Sequence, residues 1–118
     1  MDTGQTLLIL TNLPDEASAA TLAAALVTER LAACVNILAP CRSIYRWQGK
    51  IESAQETPLL IKTTALRYAA LEAAIRARHP YELPEIIAVP VSHGLPEYLT
   101  WVASETLVPD PDGKPATC

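Results

Sequence analysis

The stretch His79-Pro80-Tyr81-Glu82-Leu83-Pro84-Glu85 gathers an imidazole, a phenol and two carboxylates inside a segment stiffened by two prolines. Proline fixes φ, so such a segment holds its side chains in few arrangements and can prearrange a ligand site. An imidazole beside carboxylates suits borderline divalent metals such as copper and zinc, which makes His79, Glu82 and Glu85 the candidate metal ligands. The same residues also have a structural reading. His79, with Arg76 and Arg78, complements the C-terminal dipole of a preceding helix, and the prolines then shape only a connection.

Other chemistry-bearing residues are scattered. Tyr45 and Trp47 share one face of an extended segment by period two, which fits packing between subunits or walls for a small ligand. Lys62, at the end of an apolar strand, either snorkels to solvent or presents its ammonium to an anion. His93, next to Gly94, reads as solvated loop. Cys34, Cys41 and Cys118 are an odd set without Cys-x-x-Cys spacing, so neither a disulfide framework nor a structural zinc site is signalled. Cys34 reads as a small buried hydrophobe, with Cys41 and Cys118 more accessible. Cys34 and Cys41 would face each other only across a tight turn. No Gly-rich phosphate loop, Gly-x-Ser-x-Gly elbow or His-Glu-x-x-His is present, and a non-enzymatic protein is expected.

The elements that must position these groups follow from the pattern. Leu7-Leu8-Ile9-Leu10 is a short apolar run ending at a turn-rich stretch, a buried strand. Asp15 then caps a helix of about five turns with Ala17, Ala20, Ala24, Val27 and Leu31 as its apolar stripe. Residues 34–38 and Ser43 to Trp47, separated by Pro40, lead through Gln48-Gly49-Lys50 into a return arm from Ile51 to Thr63, a long bent hairpin. Pro58 fits that arm only where no ladder donor is needed. Thr64 can cap a second helix with Tyr68, Leu71 and Ile75 as its stripe and Glu72–Arg76 as an exposed i,i+4 pair. Pro80 ends it. Glu85 to Val91 forms a strand that Pro90 assigns to a sheet edge, and a short helix follows from Pro96 to about Thr106.

The order β-α-β-β-α-β plus an extra helix is the ferredoxin-like, split β-α-β arrangement of an α+β protein. Leu7-Leu8-Ile9-Leu10-Thr11 and Leu59-Leu60-Ile61-Lys62-Thr63 add an internal echo, each just before a helix. The chain of 118 residues, half of it hydrophobic and 19 % charged, is expected to form one domain over residues 1–107 with a flexible Pro-rich tail over 108–118. A net charge of -4 with nine dispersed basic residues excludes a nucleic-acid footprint. No uncharged stretch exceeds 12 residues, too short for a membrane span, and no basic leader precedes Arg30, so a cytoplasmic address is expected. A four-stranded open sheet leaves two edges, and a hairpin rich in Ile44, Tyr45 and Trp47 would project beyond so small a core. A homo-oligomer is expected in which the hairpin and the 85–91 strand meet neighbouring subunits.

Leu31-Ala32-Ala33-Cys34-Val35-Asn36-Ile37, Ser43-Ile44-Tyr45-Arg46-Trp47-Gln48-Gly49-Lys50-Ile51, Leu60-Ile61-Lys62-Thr63, the His79 to Ile87 segment and Tyr98-Leu99-x-Trp101 resemble, in order and spacing, the CutA divalent-cation tolerance family. The resemblance spans about Leu7 to Thr106. It implies a ferredoxin-like subunit of PII-like architecture, assembled into a homotrimer by strand pairing between subunits. It also implies a role in tolerance to divalent metals, with Cu(II) or another divalent ion as ligand. His79, Tyr81 and Glu85, with Trp47 and Lys62, are implied to line a cleft between subunits. Some members carry a cysteine at the end of the first strand, where this chain has Leu10 and Thr11, so no thiolate stands there. An alternative implication is a PII-like regulatory or scaffold trimer whose clefts take a small metabolite or a partner protein.

Overall fold

The structure, a computed structural model, describes residues 4–108. Five strands and three helices run in the order β1 (Thr6–Leu13), α1 (Glu16–Thr28), β2 (Cys34–Ile37), β3 (Cys41–Trp47), β4 (Lys50–Thr64), α2 (Tyr68–Arg78), β5 (Ile87–Pro90) and α3 (Pro96–Glu105). A 3-10 turn over Ala65–Arg67 leads into α2. The sheet is antiparallel in the order β2-β4-β1-β5, and β3 pairs with the outer part of β4. This is the expected α+β, ferredoxin-like arrangement, with β2 and β3 as the two halves of one bent hairpin arm. The internal echo turns out to be the two central strands, which pair Ile9 with Ile61 and Leu10 with Leu60.

Alternation along the central strands sends Ile9, Leu13, Leu59 and Ile61 to one face, where they form a buried core with Leu22 and Leu26 of α1 and Leu71 and Ile75 of α2. Asp15 caps α1 as expected, its carboxylate accepting from the Ser18 N–H at 2.7 Å. The stripe expected on α1 is corrected. Ala19, Leu22, Ala23 and Leu26 are buried, while Ala17, Ala20, Ala24 and Val27 face outward and the helix is 13 residues long. In a helix with alanine on every side, the leucines rather than the alanines decide which face buries more area. Two smaller expectations also fail. Thr64 ends β4 and makes no side-chain cap. The ion pairs formed among the described residues are Arg30–Glu105 and Arg78–Glu29, not Glu72–Arg76.

Pro58 lies inside the central strand β4, and the register explains how. Its carbonyl accepts from Leu38 N at 3.0 Å, so its nitrogen faces the same side, at the gap where pairing passes from β2 to β3 and no ladder donor is required. The hairpin tip is a two-residue turn at Gln48 (φ 50) and Gly49 (φ 80). Positive φ at both central positions matches the right-handed twist of the flanking strands, and glycine takes its position without strain. The hairpin extends the molecule to 51 Å in its long direction, with Ile44, Tyr45, Trp47 and Ile51 exposed.

The opposite face of the sheet carries Leu8, Leu10, Leu60 and Lys62 from the centre and Ile87 and Val89 from edge strand β5. There α3 sets its Tyr98 against Cys34, leaving Ile87 and Val89 about half exposed. The expected tail over 108–118 lies, from residue 109, outside the described residues, as does Cys118.

Thr11 is 1 % exposed on the core face, and its hydroxyl has no hydrogen-bond partner among the described residues. An unmatched buried hydroxyl costs about 1–3 kcal/mol, and valine has nearly the same shape. Thr11→Val should therefore raise the urea midpoint, with a gain of about 1 kcal/mol. An unchanged or lower midpoint would refute this.

Candidate functional site

The end of β1, the start of α1, the base of the hairpin and the loop after α2 converge on one cluster: Asn12, Asp15, Tyr45, Glu56, His79, Tyr81 and Glu85. His79 holds it together. The residue is 8 % exposed, and both ring nitrogens are engaged. The Tyr81 backbone N–H donates to Nδ1 at 3.1 Å, so Nδ1 is the acceptor and Nε2 carries the proton that it donates to the Asn12 carbonyl at 2.6 Å. The imidazole thus pins the 80–86 loop to the end of β1. Asn12 continues the chain of contacts, its amide reaching Glu85 Oε1 at 3.5 Å.

Tyr81 packs on His79 with ring centroids 4.8 Å apart. Its phenol is pushed up to about 12, first by burial and then by the hydrogen bond and charge of Glu56, with Tyr45 and Asp15 adding to it. Glu56 is a nearly buried carboxylate, and a phenol held protonated beside it is its natural donor. A folded-state value above the ordinary 10 means that the native protein keeps the phenol proton longer than the unfolded chain. The stability from this contact is complete below pH 10 and is lost as pH rises from 10 to 12. Tyr81→Phe should flatten the fall in thermal midpoint over that alkaline range. If the variant and the wild type lost stability in parallel there, Tyr81 would not be its source.

The other candidates stand apart. Glu82 is exposed in the same loop, and Leu83 beside it is 70 % exposed. Trp47 pairs with Lys50 at the hairpin tip and Lys62 pairs with Cys34 at the far end of β4. Twelve residues of strand, about 40 Å, separate the two ends, so one subunit cannot bring Trp47 and Lys62 to a common ligand. The Lys62 ammonium donates to Asn36 Oδ1 and lies 3.9 Å from Cys34 Sγ. Cys34 and Cys41 are both free thiols, and their partners on β4 are six residues apart, about 20 Å, which precludes a bridge. His93 is exposed, with its Nδ1 3.1 Å from the neighbouring Ser92 hydroxyl.

No group of three or more His, Cys, Asp or Glu side chains set to hold a metal ion forms among the described residues. Within one subunit the donors do not form a complete metal site: a metal on either nitrogen of His79 would displace a hydrogen bond, Glu82 is exposed, and Glu85, also exposed, is engaged by the Asn12 amide. The sequence signalled the loop but not Glu56 or Asn12. A lone carboxylate in a strand and an asparagine before a turn become informative only once the register places them under the loop.

Comparison with known proteins adds a consistent set of similarities. A family described as CutA1 divalent ion tolerance protein matches residues 7–105. The divalent-cation tolerance protein CutA of Thermus thermophilus is 49 % identical over 98 residues, covering 83 % of this chain and 95 % of that one. The crystal structure of CutA from Xylella fastidiosa superposes with a TM-score of 0.84 at 54 % identity, over 86 % of this chain and 98 % of the other. A structure titled the periplasmic divalent cation tolerance protein CutA from Archaeoglobus fulgidus gives a TM-score of 0.84 at 35 % identity, over 86 % and 99 %. No helix among the described residues is long and apolar enough to cross a membrane.

Proposed function

This chain belongs to the CutA1 divalent ion tolerance family, and from that premise we propose that it serves divalent-cation tolerance as a non-enzymatic homotrimer whose cation sites are completed between subunits. One observation carries the reading. The exposed carboxylates Glu82 and Glu85 and the exposed apolar side chains of Leu83, Ile87 and Val89 share one short segment, ending on an edge strand whose outer backbone groups have no strand partner among the described residues. An apolar edge of this kind is covered by another chain in stable proteins. Covering it with a second copy carries Glu82 and Glu85 into the interface.

In this proposal His79 supports the site by holding the loop that bears both carboxylates, since ligation through its ring would cost the contact to Asn12 or to Tyr81. Oxygen donors of this kind take divalent ions, whereas copper(I) prefers thiolate or thioether ligands, and the end of β1 offers Leu10 and Thr11 instead. Trp47 and Lys62 line the cleft only if different subunits supply them. The metabolite-binding alternative needs the same assembly, but Lys62 enters it already bonded to Asn36. A cytoplasmic site of action is part of the proposal.

Calorimetric titration of Cu(II) and Zn(II) into the wild type and into the Glu82→Gln, Glu85→Gln double variant tests the assignment. A stoichiometric site in the wild type that the double variant lacks supports it. A wild type without a site, or a site indifferent to both substitutions, refutes it.

A further inference from the structure

Outside the His79 cluster, four side chains with chemistry of their own meet on the open face of the sheet. The register sets Lys62 directly across from Cys34, and Asn36 lies two residues on, on the same face of β2. The Lys62 ammonium donates to Asn36 Oδ1, which steadies it, and to Cys34 Sγ at 3.9 Å. From the other side α3 brings Tyr98, whose phenol is held above its ordinary value by burial and then by Cys34. Cys34 is half-buried and free, while Cys41 is exposed and, among the described residues, has the Ser43 hydroxyl, at 3.8 Å, as its polar neighbour. One thiol is therefore open but unassisted, and the other is sheltered but flanked by a cation and a phenol.

We propose that Cys34 is a site of oxidation by small hydroperoxides, with Lys62 as the group that assists the reaction. The thiolate sulfur attacks the distal oxygen of hydrogen peroxide, forming an S–O bond as the O–O bond breaks. The electron pair leaves with hydroxide, which takes a proton from the Lys62 ammonium and departs as water. Sulfur is oxidised by two electrons to a sulfenic acid, peroxide is reduced, and the lysine regains its proton from solvent. A donor held beside the sulfur stabilises the charge that develops on the departing oxygen and supplies the proton it needs. The half-buried position admits an oxidant of two heavy atoms and disfavours bulky reagents, so reactivity here follows the neighbours of the thiol rather than its exposure.

The intact protein, treated with hydrogen peroxide for a set time and then unfolded in urea containing dimedone, so that trapping no longer depends on access, provides the test, with tandem mass spectrometry locating the adduct. Cys34 should label about tenfold faster than Cys41 or more, a modest share of what a placed proton donor contributes. With a bulky maleimide the order should reverse. Lys62→Met should remove the advantage of Cys34 and Lys62→Arg should keep it, in variants whose thermal melting matches the wild type. Cys34 labelling no faster than Cys41, or a rate at Cys34 unchanged in Lys62→Met, would overturn the proposal.

Discussion

Replacing Ile87 and Val89 together by aspartate should convert the proposed homotrimer into a folded 12.7 kDa monomer. Both side chains are about half exposed in the subunit, on the open face of the sheet, so the substitution costs the isolated fold less than it costs an interface in which both positions are fully buried. In an interface the same two positions lose their water. Desolvating an unpaired carboxylate costs several kcal/mol, and three copies of the chain would carry six of them. Sedimentation should therefore show the wild type at three times the subunit mass and the variant at the subunit mass, with unchanged far-ultraviolet dichroism. A variant that sediments like the wild type would remove β5 from the interface.

His79→Ala should be among the most destabilising single substitutions outside the hydrophobic core. It deletes a nearly buried ring and leaves both the Asn12 carbonyl and the Tyr81 N–H without their partner. Each orphaned buried group costs about 1–3 kcal/mol, so a loss of about 2–4 kcal/mol is expected in urea denaturation, after allowing for partial rehydration of the opened loop. Tyr81 should move with it, since His79 fixes its backbone, and the alkaline shift of its phenol should shrink in the same variant. A loss below about 0.5 kcal/mol, the usual effect of a surface substitution, would mean that His79 is no latch.

These two sites also mark what the sequence disclosed and what it withheld. The strands were legible because their signals are local: an apolar run before Pro14, Gln48-Gly49 at a tip, and Pro90 at an edge. The buried face of α1 was not, because alanine at most positions erases the contrast between sides, and the core chose Leu22 and Leu26 through contacts with Leu59 and Ile61 that lie far away in sequence. The same limit applies to the candidate site. Residues 79–85 announced themselves by composition, yet the sequence held open a metal ligand and a helix-end histidine for His79. In the subunit the ring spans to the Asn12 carbonyl, a partner 67 residues away that the pairing of β1 with β4 brings within reach. Glu56 and the meeting of Cys34, Lys62 and Tyr98 escaped for the same reason, being products of pairing and not of spacing.

The proposed dependence of cation binding on assembly can be measured directly by titrating Cu(II) or Zn(II) into the wild type and into the Ile87→Asp, Val89→Asp variant, which alters no proposed ligand. A site completed between subunits predicts stoichiometric binding by the oligomer and its loss in the monomer, with Glu82, Glu85 and His79 all still present. Equal binding by the folded monomer would contradict it, and would place the cation site wholly within one subunit.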